Sequence, residues 1–298
     1  MIDFKDRVAF VTGGANGIGI GLVRALLAEG SKVAIADIRQ EAIDDALAEL
    51  NNPNAMGVRL DVSSREQMAK AAETVEAHFG VVTLLFNNAG VNLFQTIEES
   101  SYSDWDWLLG VNLHGPINGV MTFVPKMIAH GQGGYVVNTA SMASILAGGQ
   151  PGIYNTAKFA VRGMSTSLRG SLAKHNIGVS VVCPGLVKSY IYASDDIRPP
   201  ELMEGAKPVD EENIERLAGV HDYGMEPDVI AARIIDGVKE DLHHIFTHPE
   251  FKEELQEVFD EMLDDFRDYP ADPGRDQRLA FEEFRRDSYR EQRKGLKK

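Results

Sequence analysis

Three glycines, one acid and a tyrosine–lysine pair are the residues of this chain whose types and spacing could do chemistry. The glycines follow the spacing Gly13-x-x-x-Gly17-x-Gly19, directly after an apolar, β-prone run at 8–12 and before a helical stripe of Ile20, Val23, Leu26 and Leu27. A second apolar run at 32–36 ends in Asp37. Strand, glycine turn, helix, strand and acid together are the arrangement of a dinucleotide site. Gly13 allows a turn with φ > 0 at little cost. Gly17 and Gly19 let the helix start close to the strand, so its unpaired N–H groups and positive dipole end meet a pyrophosphate. Asp37 is placed to accept hydrogen bonds from ribose hydroxyls. Tyr154 and Lys158, four residues apart, share one helix face, and Ser141 precedes Tyr154 by thirteen residues. Read singly, the pair could be a surface contact and Ser141 a helix cap.

These residues acquire meaning from the elements that must hold them. Further apolar runs predict strands at 56–60, 82–86, 135–139, 179–182 and 244–247. Helices are predicted at 40–51, from Ser63 or Ser64 to 79, at 103–129, at 152–174 and from Pro227, a good first helical residue. Gly115 and Pro116 predict a kink near Asn112 in the long helix at 103–129. Strands alternating with helices of ten or more residues give an α/β fold: a single-domain, Rossmann-type, doubly wound parallel sheet with helices on both faces. Right-handed crossovers then gather Gly13, Asp37, Asp61, Asn88, Ser141 and Pro184, each just after a strand, along one sheet edge. Residues 186–224 read as a loop-rich insertion over that edge. We divide the chain into a dinucleotide-binding and catalytic domain, 1–248, and a helical C-terminal extension, 249–298. In the extension, Phe251, Leu255, Val258, Phe259, Met262 and Phe266 form an apolar stripe. A breaker at 268–274 follows, then a second, shorter helix with Leu279, Phe281, Phe284 and Tyr289, and a frayed end at 290–298. The extension is expected to pack on its own or a partner subunit, over the substrate entrance.

Bulk properties narrow the field. The 298 residues carry a formal charge of −15, which argues against nucleic acid or an anionic membrane surface as partner. One cysteine, Cys183, excludes an internal disulfide and a cysteine-based metal cluster. His243, His244 and His248 have no acidic or cysteine partner at metal-site spacing and are read as structural, so no metal is expected. The chain opens directly into a strand, without a signal peptide, and has no apolar run of ~20 residues. A cytoplasmic location is expected.

The set as a whole resembles the short-chain dehydrogenase/reductase family. Thr12 before the glycine turn, the run Asn87-Asn88-Ala89-Gly90, Asn112, Ser141, Tyr154 and Lys158 match it in order, across about residues 5–250. The resemblance implies an NAD-dependent oxidoreductase that moves a hydride between nicotinamide and a secondary alcohol or ketone. It implies that Tyr154 is the general acid/base. Its phenol, with an ordinary pKa of ~10, would be lowered by the Lys158 ammonium and the cationic nicotinamide. Ser141 would hydrogen-bond the substrate oxygen, and Asn112 would hold a water linking Lys158 to solvent. Gly13, Asn16, Gly17, Ile18, Gly19 and Asp37 would hold the cofactor's pyrophosphate and adenosine ribose, with Asp61 and Val62 at the adenine. Asn88, Ala89 and Gly90 would lie under the cofactor, Tyr154 and Lys158 at the nicotinamide ribose, and Pro184, Gly185 and Val187 at the carboxamide. Asp37 would repel the 2′-phosphate of NADP, and the positions where NADP users carry a basic residue hold Asn16 and Ile38. Arg39, one step on, keeps NADP as the alternative.

The substrate is expected over Ser141 and Tyr154, walled by Asn92, Phe94, Met142, Ile145, Gln150, Leu186, Tyr190 and Tyr192. These suit a bulky, aromatic or alicyclic alcohol. The long tail and the runs at 115–119 and 137–141 are similar to bacterial aryl-alcohol Cα-dehydrogenases, which oxidise lignin-derived β-aryl ethers. Family members pair through the helices that here carry Asn112 and Tyr154, which implies a homo-oligomer, a tetramer before a dimer. The alternatives are an NADP-dependent carbonyl or 3-oxoacyl reductase, a non-catalytic nucleotide-sensing protein on the same fold, and a scaffold acting through its tail.

Overall fold

The structure, a computed structural model, describes residues 2–208 and 210–296. Seven strands form one sheet: β1 (Val8–Thr12), β2 (Lys32–Asp37), β3 (Ala55–Arg59), β4 (Val82–Asn87), β5 (Gly134–Thr139), β6 (Ile177–Cys183) and β7 (His244–Phe246). Their order is β3-β2-β1-β4-β5-β6-β7, and every neighbouring pair is parallel. The chain runs outward from β1 through β2 to β3, then returns to the other side of β1 with β4. The crevice beyond the ends of β1 and β4 is therefore the switch point, where doubly wound sheets bind ligands.

β1, β4, β5 and β6 are buried along their whole length, as expected for strands covered on both faces. Side-chain alternation splits them between two cores. Ala9 and Val11 of β1 join Leu22, Leu26, Ile35 and Ile234 under α1 (Gly17–Ala28) and α8 (Pro227–Lys239). Val8 and Phe10 point the other way, to Met68 of α3 (Arg65–Phe79) and to Phe123 and Met127 of α5 (Gly115–His130). The Phe10 and Phe123 rings meet at 4.7 Å between centroids.

Local chemistry sets the ends of the elements that carry the site. Ser64 caps α3 by accepting from the Gln67 N–H, while Ser63 turns to Asp61. Ser101 and Asp104 form a capping box at the start of α4 (Tyr102–Leu109). Where a kink was expected near Asn112, a π turn, Gly110–His114, joins α4 to α5. α6 (Gly152–Leu172) bears Tyr154 and Lys158.

Three expectations need correction. The insertion is not all loop: beside two 3₁₀ turns, Ile191–Ile197 and Pro200–Leu202, it contains α7 (Glu211–His221). That helix hides in the sequence because its buried stripe is only Leu217 and His221. In the tail, α10 (Arg275–Arg293) is the longer helix at 19 residues, against 13 in α9 (Lys252–Asp264), since Glu, Arg, Gln, Ala and Leu all favour helix. The end is fastened through residue 296 rather than frayed. The Leu296 N–H donates to Asp241 at 2.7 Å, and the Arg169 Nε donates to the Arg293 carbonyl at 3.3 Å. Arg169 and Asp241 form a buried pair, and the Tyr135 hydroxyl also donates to Asp241. Lys297 and Lys298 lie outside the described residues. Neither α9 nor α10 has a buried residue. Among the described residues no helix is long and apolar enough to cross a membrane.

Candidate active site

A cavity of about 790 Å³ opens over the ends of β1, β2, β4, β5 and β6. Its first half is shaped by bare backbone. Gly13 has φ +60°, and a Cβ there would fall 2.8 Å from the Ala89 Cα, so only glycine fits the turn. A Cβ on Gly19 would fall 1.9 Å from the Gly13 carbonyl oxygen. Gly19 therefore serves the packing of helix on turn and does not line the cavity, whereas Gly13, Asn16, Gly17 and Ile18 do. Asn16, the N-cap of α1, makes no side-chain capping bond, and no acid occupies the first turn. The first N–H groups of α1 are thus left for an anion.

Thr12 welds this turn to the next strand. Its hydroxyl accepts from the N–H groups of Asn88 (2.9 Å) and Ala89 (3.1 Å), and the Asn88 Nδ2 donates back to the Thr12 carbonyl at 3.2 Å. Asp37, buried at the end of β2, accepts from the N–H groups of Ala15 (3.3 Å) and Arg39 (3.2 Å), and the Arg39 Nε lies 4.0 Å away. A cradle that a Cβ would fill, open helix-terminal donors and a fixed carboxylate fit a dinucleotide. Asp61, Val62, Asn88, Ala89, Gly90, Pro184, Gly185 and Val187 line the same cavity.

The reactive side chains stand over its middle. Lys158 is buried, and its Nζ donates to the Thr139 carbonyl at 2.9 Å and lies 5.2 Å from the centre of the Tyr154 ring. Ser141 both caps the 3₁₀ turn Met142–Ser144, accepting from the Ala143 N–H at 3.1 Å, and faces the phenol. The expected lowering of the Tyr154 pKa is absent in the protein alone. Burial pushes it up to about 12, with the Ser141 hydrogen bond pulling weakly the other way. Burial also brings Lys158 down to about 8. Desolvation therefore outweighs the lysine, whose ammonium is turned toward a backbone carbonyl.

Asn112 is fully buried in the π turn, behind the cavity wall. Its Nδ2 donates to the Val91 carbonyl at 2.7 Å and its Oδ1 accepts from the Val91 N–H at 2.9 Å. The side chain is thus engaged in fixing the backbone at Val91. Gly90 is bare for the same reason: a Cβ there would sit 3.2 Å from the Asn112 Oδ1 and 3.6 Å from the Lys158 Nζ. Behind these lies a polar ladder the sequence reading missed. The Asn87 Nδ2 donates to the Asn138 Oδ1 (2.8 Å), and the Asn138 Nδ2 to the Ser165 hydroxyl (3.0 Å), tying β4, β5 and α6 together. Its signal was in view, as asparagines inside otherwise apolar strands.

The other half of the cavity is walled by side chains. Asn92, Phe94, Met142, Leu186 and Tyr190 line it as expected. Gln150 does not: it is exposed at the end of a glycine-containing loop that carries it outward. Ile145 packs instead with Val161 and Cys183, and Tyr192 rests on His221 at 5.1 Å. Trp107, Ile197 and Leu202 also line the cavity and were not anticipated; Phe251 lines it too, from the extension expected over the substrate entrance. The insertion that supplies Ile197 and Leu202 is held by a buried pair, Arg198 to Asp104 at 2.6 Å. Burial works against the Asp104 carboxylate, but hydrogen bonds from Ser101, Arg198 and Gln95 outweigh it and hold its pKa below the ordinary value. Phe251 arrives from the start of the tail and, with His248, fills the space a Gly185 side chain would take. The Gly185 N–H donates to the His248 Nδ1 at 3.0 Å, and the His248 Nε2 lies 3.0 Å from the Leu186 carbonyl oxygen, so His248 pins this loop. Among the described residues no group of three His, Cys, Asp or Glu is placed to hold a metal.

The chain is similar in sequence and fold to known proteins of one family. The family profile described as short chain dehydrogenase matches residues 7–197. A C alpha-dehydrogenase of Sphingobium sp. (strain NBRC 103272 / SYK-6) is 41% identical over 276 residues, 92% of this chain and 90% of that protein. A solved structure from Novosphingobium aromaticivorans is 58% identical and covers 100% of both chains, with a TM-score of 0.88. A short chain dehydrogenase/reductase from Burkholderia phymatum, in complex with NAD, is 31% identical with a TM-score of 0.84, covering 91% of this chain and 100% of that one.

Proposed function

The chain belongs to the short-chain dehydrogenases, and from that premise we propose that it is an NAD-dependent alcohol dehydrogenase acting on a bulky, aromatic secondary alcohol or its ketone. The observation that carries the reading is the convergence of Ser141, Tyr154 and Lys158 on the cavity that also holds Asp37 and the open end of α1. Bound nicotinamide supplies the acceptor or donor of the hydride. The chain's own residues do the rest. Tyr154 takes the carbinol proton on oxidation and returns it on reduction, and Ser141 hydrogen-bonds the substrate oxygen as its charge changes. Lys158 holds the ribose hydroxyls and favours the phenolate when protonated. Asn112 fixes Val91, and with it the loop that carries Gly90.

Asp37 supports NAD over NADP, because a buried carboxylate held by two N–H groups cannot swing away from a 2′-phosphate. Trp107, Phe94 and Phe251 support an aromatic substrate, as does the name of the Sphingobium relative. Met121 and Phe159, exposed on α5 and α6, support a homo-oligomer formed through those helices. The single buried, unpaired Cys183 suits a reducing cytoplasm.

The test is NADH formation, followed by absorbance, on a panel of aryl and alicyclic secondary alcohols with NAD and NADP side by side. NAD-linked turnover that disappears in Tyr154→Phe, with NADH binding retained, supports the reading. Turnover with NADP alone overturns the cofactor assignment, and NADH binding without turnover of any alcohol or ketone overturns the substrate class.

A further inference from the structure

The polar groups on the substrate side of the cavity are unevenly used. Asn92 is more than nine-tenths buried and lines the cavity. Its backbone N–H is held by the Ser194 hydroxyl at 3.0 Å, which fixes the residue in place. Its carboxamide oxygen has no hydrogen-bond partner among the described residues. A buried amide without a partner costs stability unless something supplies one. Every other polar side chain in this wall that is equally buried is occupied: Ser194 also donates to the Ile191 carbonyl at 2.7 Å. The charges at the mouth have one sign. Asp106, Asp196 and Glu201 line it, and apart from Lys158, which is turned to Thr139, the only lysine or arginine along the cavity among the described residues is Arg39, beside Asp37.

We infer that Asn92 recognises a second, uncharged oxygen of the substrate, a hydroxyl near the reacting carbinol, and that the acidic mouth turns away substrates carrying a carboxylate or phosphate. A carboxamide presents a donor and an acceptor, and a 180° turn about its terminal bond exchanges them. A hydroxyl answers either presentation. The inference rests on the alcohol–ketone reading above and narrows its substrate class to neutral, diol-like alcohols. It also sets this site apart from one built for an acyl thioester with an anionic carrier.

Three probes of one skeleton test it: methyl phenyl carbinol, phenylethylene glycol and mandelate, which place a methyl, a hydroxymethyl and a carboxylate beside the same carbinol. Each is measured by NAD-linked turnover and by calorimetric binding to the protein saturated with NADH. The expected order is glycol over methyl carbinol by about tenfold, the range of one recognised hydrogen bond, with mandelate weakest. In Asn92→Leu the glycol-to-methyl ratio should fall to about one, and in Asp106→Asn with Asp196→Asn mandelate should gain on the methyl carbinol. Equal binding of glycol and methyl carbinol to the unaltered protein, mandelate binding as well as either, or an unchanged ratio in Asn92→Leu would overturn the inference. The wild-type order alone decides if the leucine variant fails to fold. Should none of the three be oxidised while the binding order holds, the alcohol dehydrogenase reading fails and the recognition stands; absence of binding by all three overturns the recognition.

Discussion

The two halves of the cavity are built on different principles. Around Gly13 and Asp37 the shape is made by backbone: a turn with φ +60°, a glycine whose Cβ would fall 2.8 Å from the Ala89 Cα, and a threonine hydroxyl shared by two N–H groups. Around Trp107 and Ile197 it is made by side chains on α4 and on the 3₁₀ turns of the insertion, joined through one buried ion pair. The first kind of wall dictates residue types and tolerates little. The second can change its lining while the fold stays, which is how one sheet serves many substrates.

The comparison can be broken by perturbing each half alone. Tyr154→Phe, at the seam, carries the largest expected effect: kcat falls on the order of a thousandfold while NADH affinity stays within a factor of about two. A parallel loss of NADH binding would show that the phenol holds the cofactor as much as it does chemistry. Next comes Arg198→Ala, which strands the Asp104 carboxylate. Breaking such a buried pair costs about 3–5 kcal/mol. The cost should fall on the insertion, so KM for the alcohol rises on the order of tenfold or more while the Kd for NADH holds. An equal loss of cofactor affinity would mean the two halves are one unit. Asp37→Ala is the mirror experiment: NAD binding weakens about tenfold or more, the gap to NADP narrows, and KM for the alcohol at saturating cofactor is unchanged.

The smallest effect sharpens the seam itself. With the Tyr154 pKa pushed up to about 12, the free protein keeps this phenol protonated across the neutral range. A phenolate difference spectrum, with Tyr154→Phe as the reference, should show it titrating above an ordinary tyrosine. Binding oxidised cofactor, which brings positive charge, should move that titration to lower pH, and alcohol oxidation should accordingly quicken as pH rises. Lys158 moves the opposite way: lowered to about 8 by burial, it gains its proton only as pH falls through that value. The same shift ties its neutral form to stability, present above the ordinary lysine pKa and lost as pH falls through about 8. A titration at the ordinary tyrosine pKa, unmoved by cofactor, would show that burial does not control the phenol.

The same contrast decides what could be read from the sequence. Gly13, Gly17, Asp37, Asn88, Ser141, Tyr154 and Lys158 were legible because backbone conformation and strand ends restrict which residues can stand there. So was the order of strands and helices around them. Trp107 and Leu202 were not, since their meeting depends on how α4 and the insertion fold over one another. Gln150 was misplaced because the loop after Ile145 turns it outward, a path that residue types do not specify. α7 escaped notice because two buried residues make too thin a stripe to stand out. The Tyr154 pKa could not be read at all, since it depends on how far the finished walls cover a half-buried phenol.

The π turn at Gly110–His114 also limits how this chain can vary in length. It lets one continuous rod present Trp107 and Leu108 to the substrate wall and, after the turn, Val120, Phe123 and Val124 to the sheet. Deleting a single residue there would restore regular helix, leave the faces on either side in register and remove the widened turn that carries Asn112. Asn112 would leave Val91, and its two hydrogen bonds to that backbone would be lost. Substitutions in this stretch can be absorbed one at a time; a lost or gained codon cannot, and the length of these five residues should be more strictly kept than most of their identities.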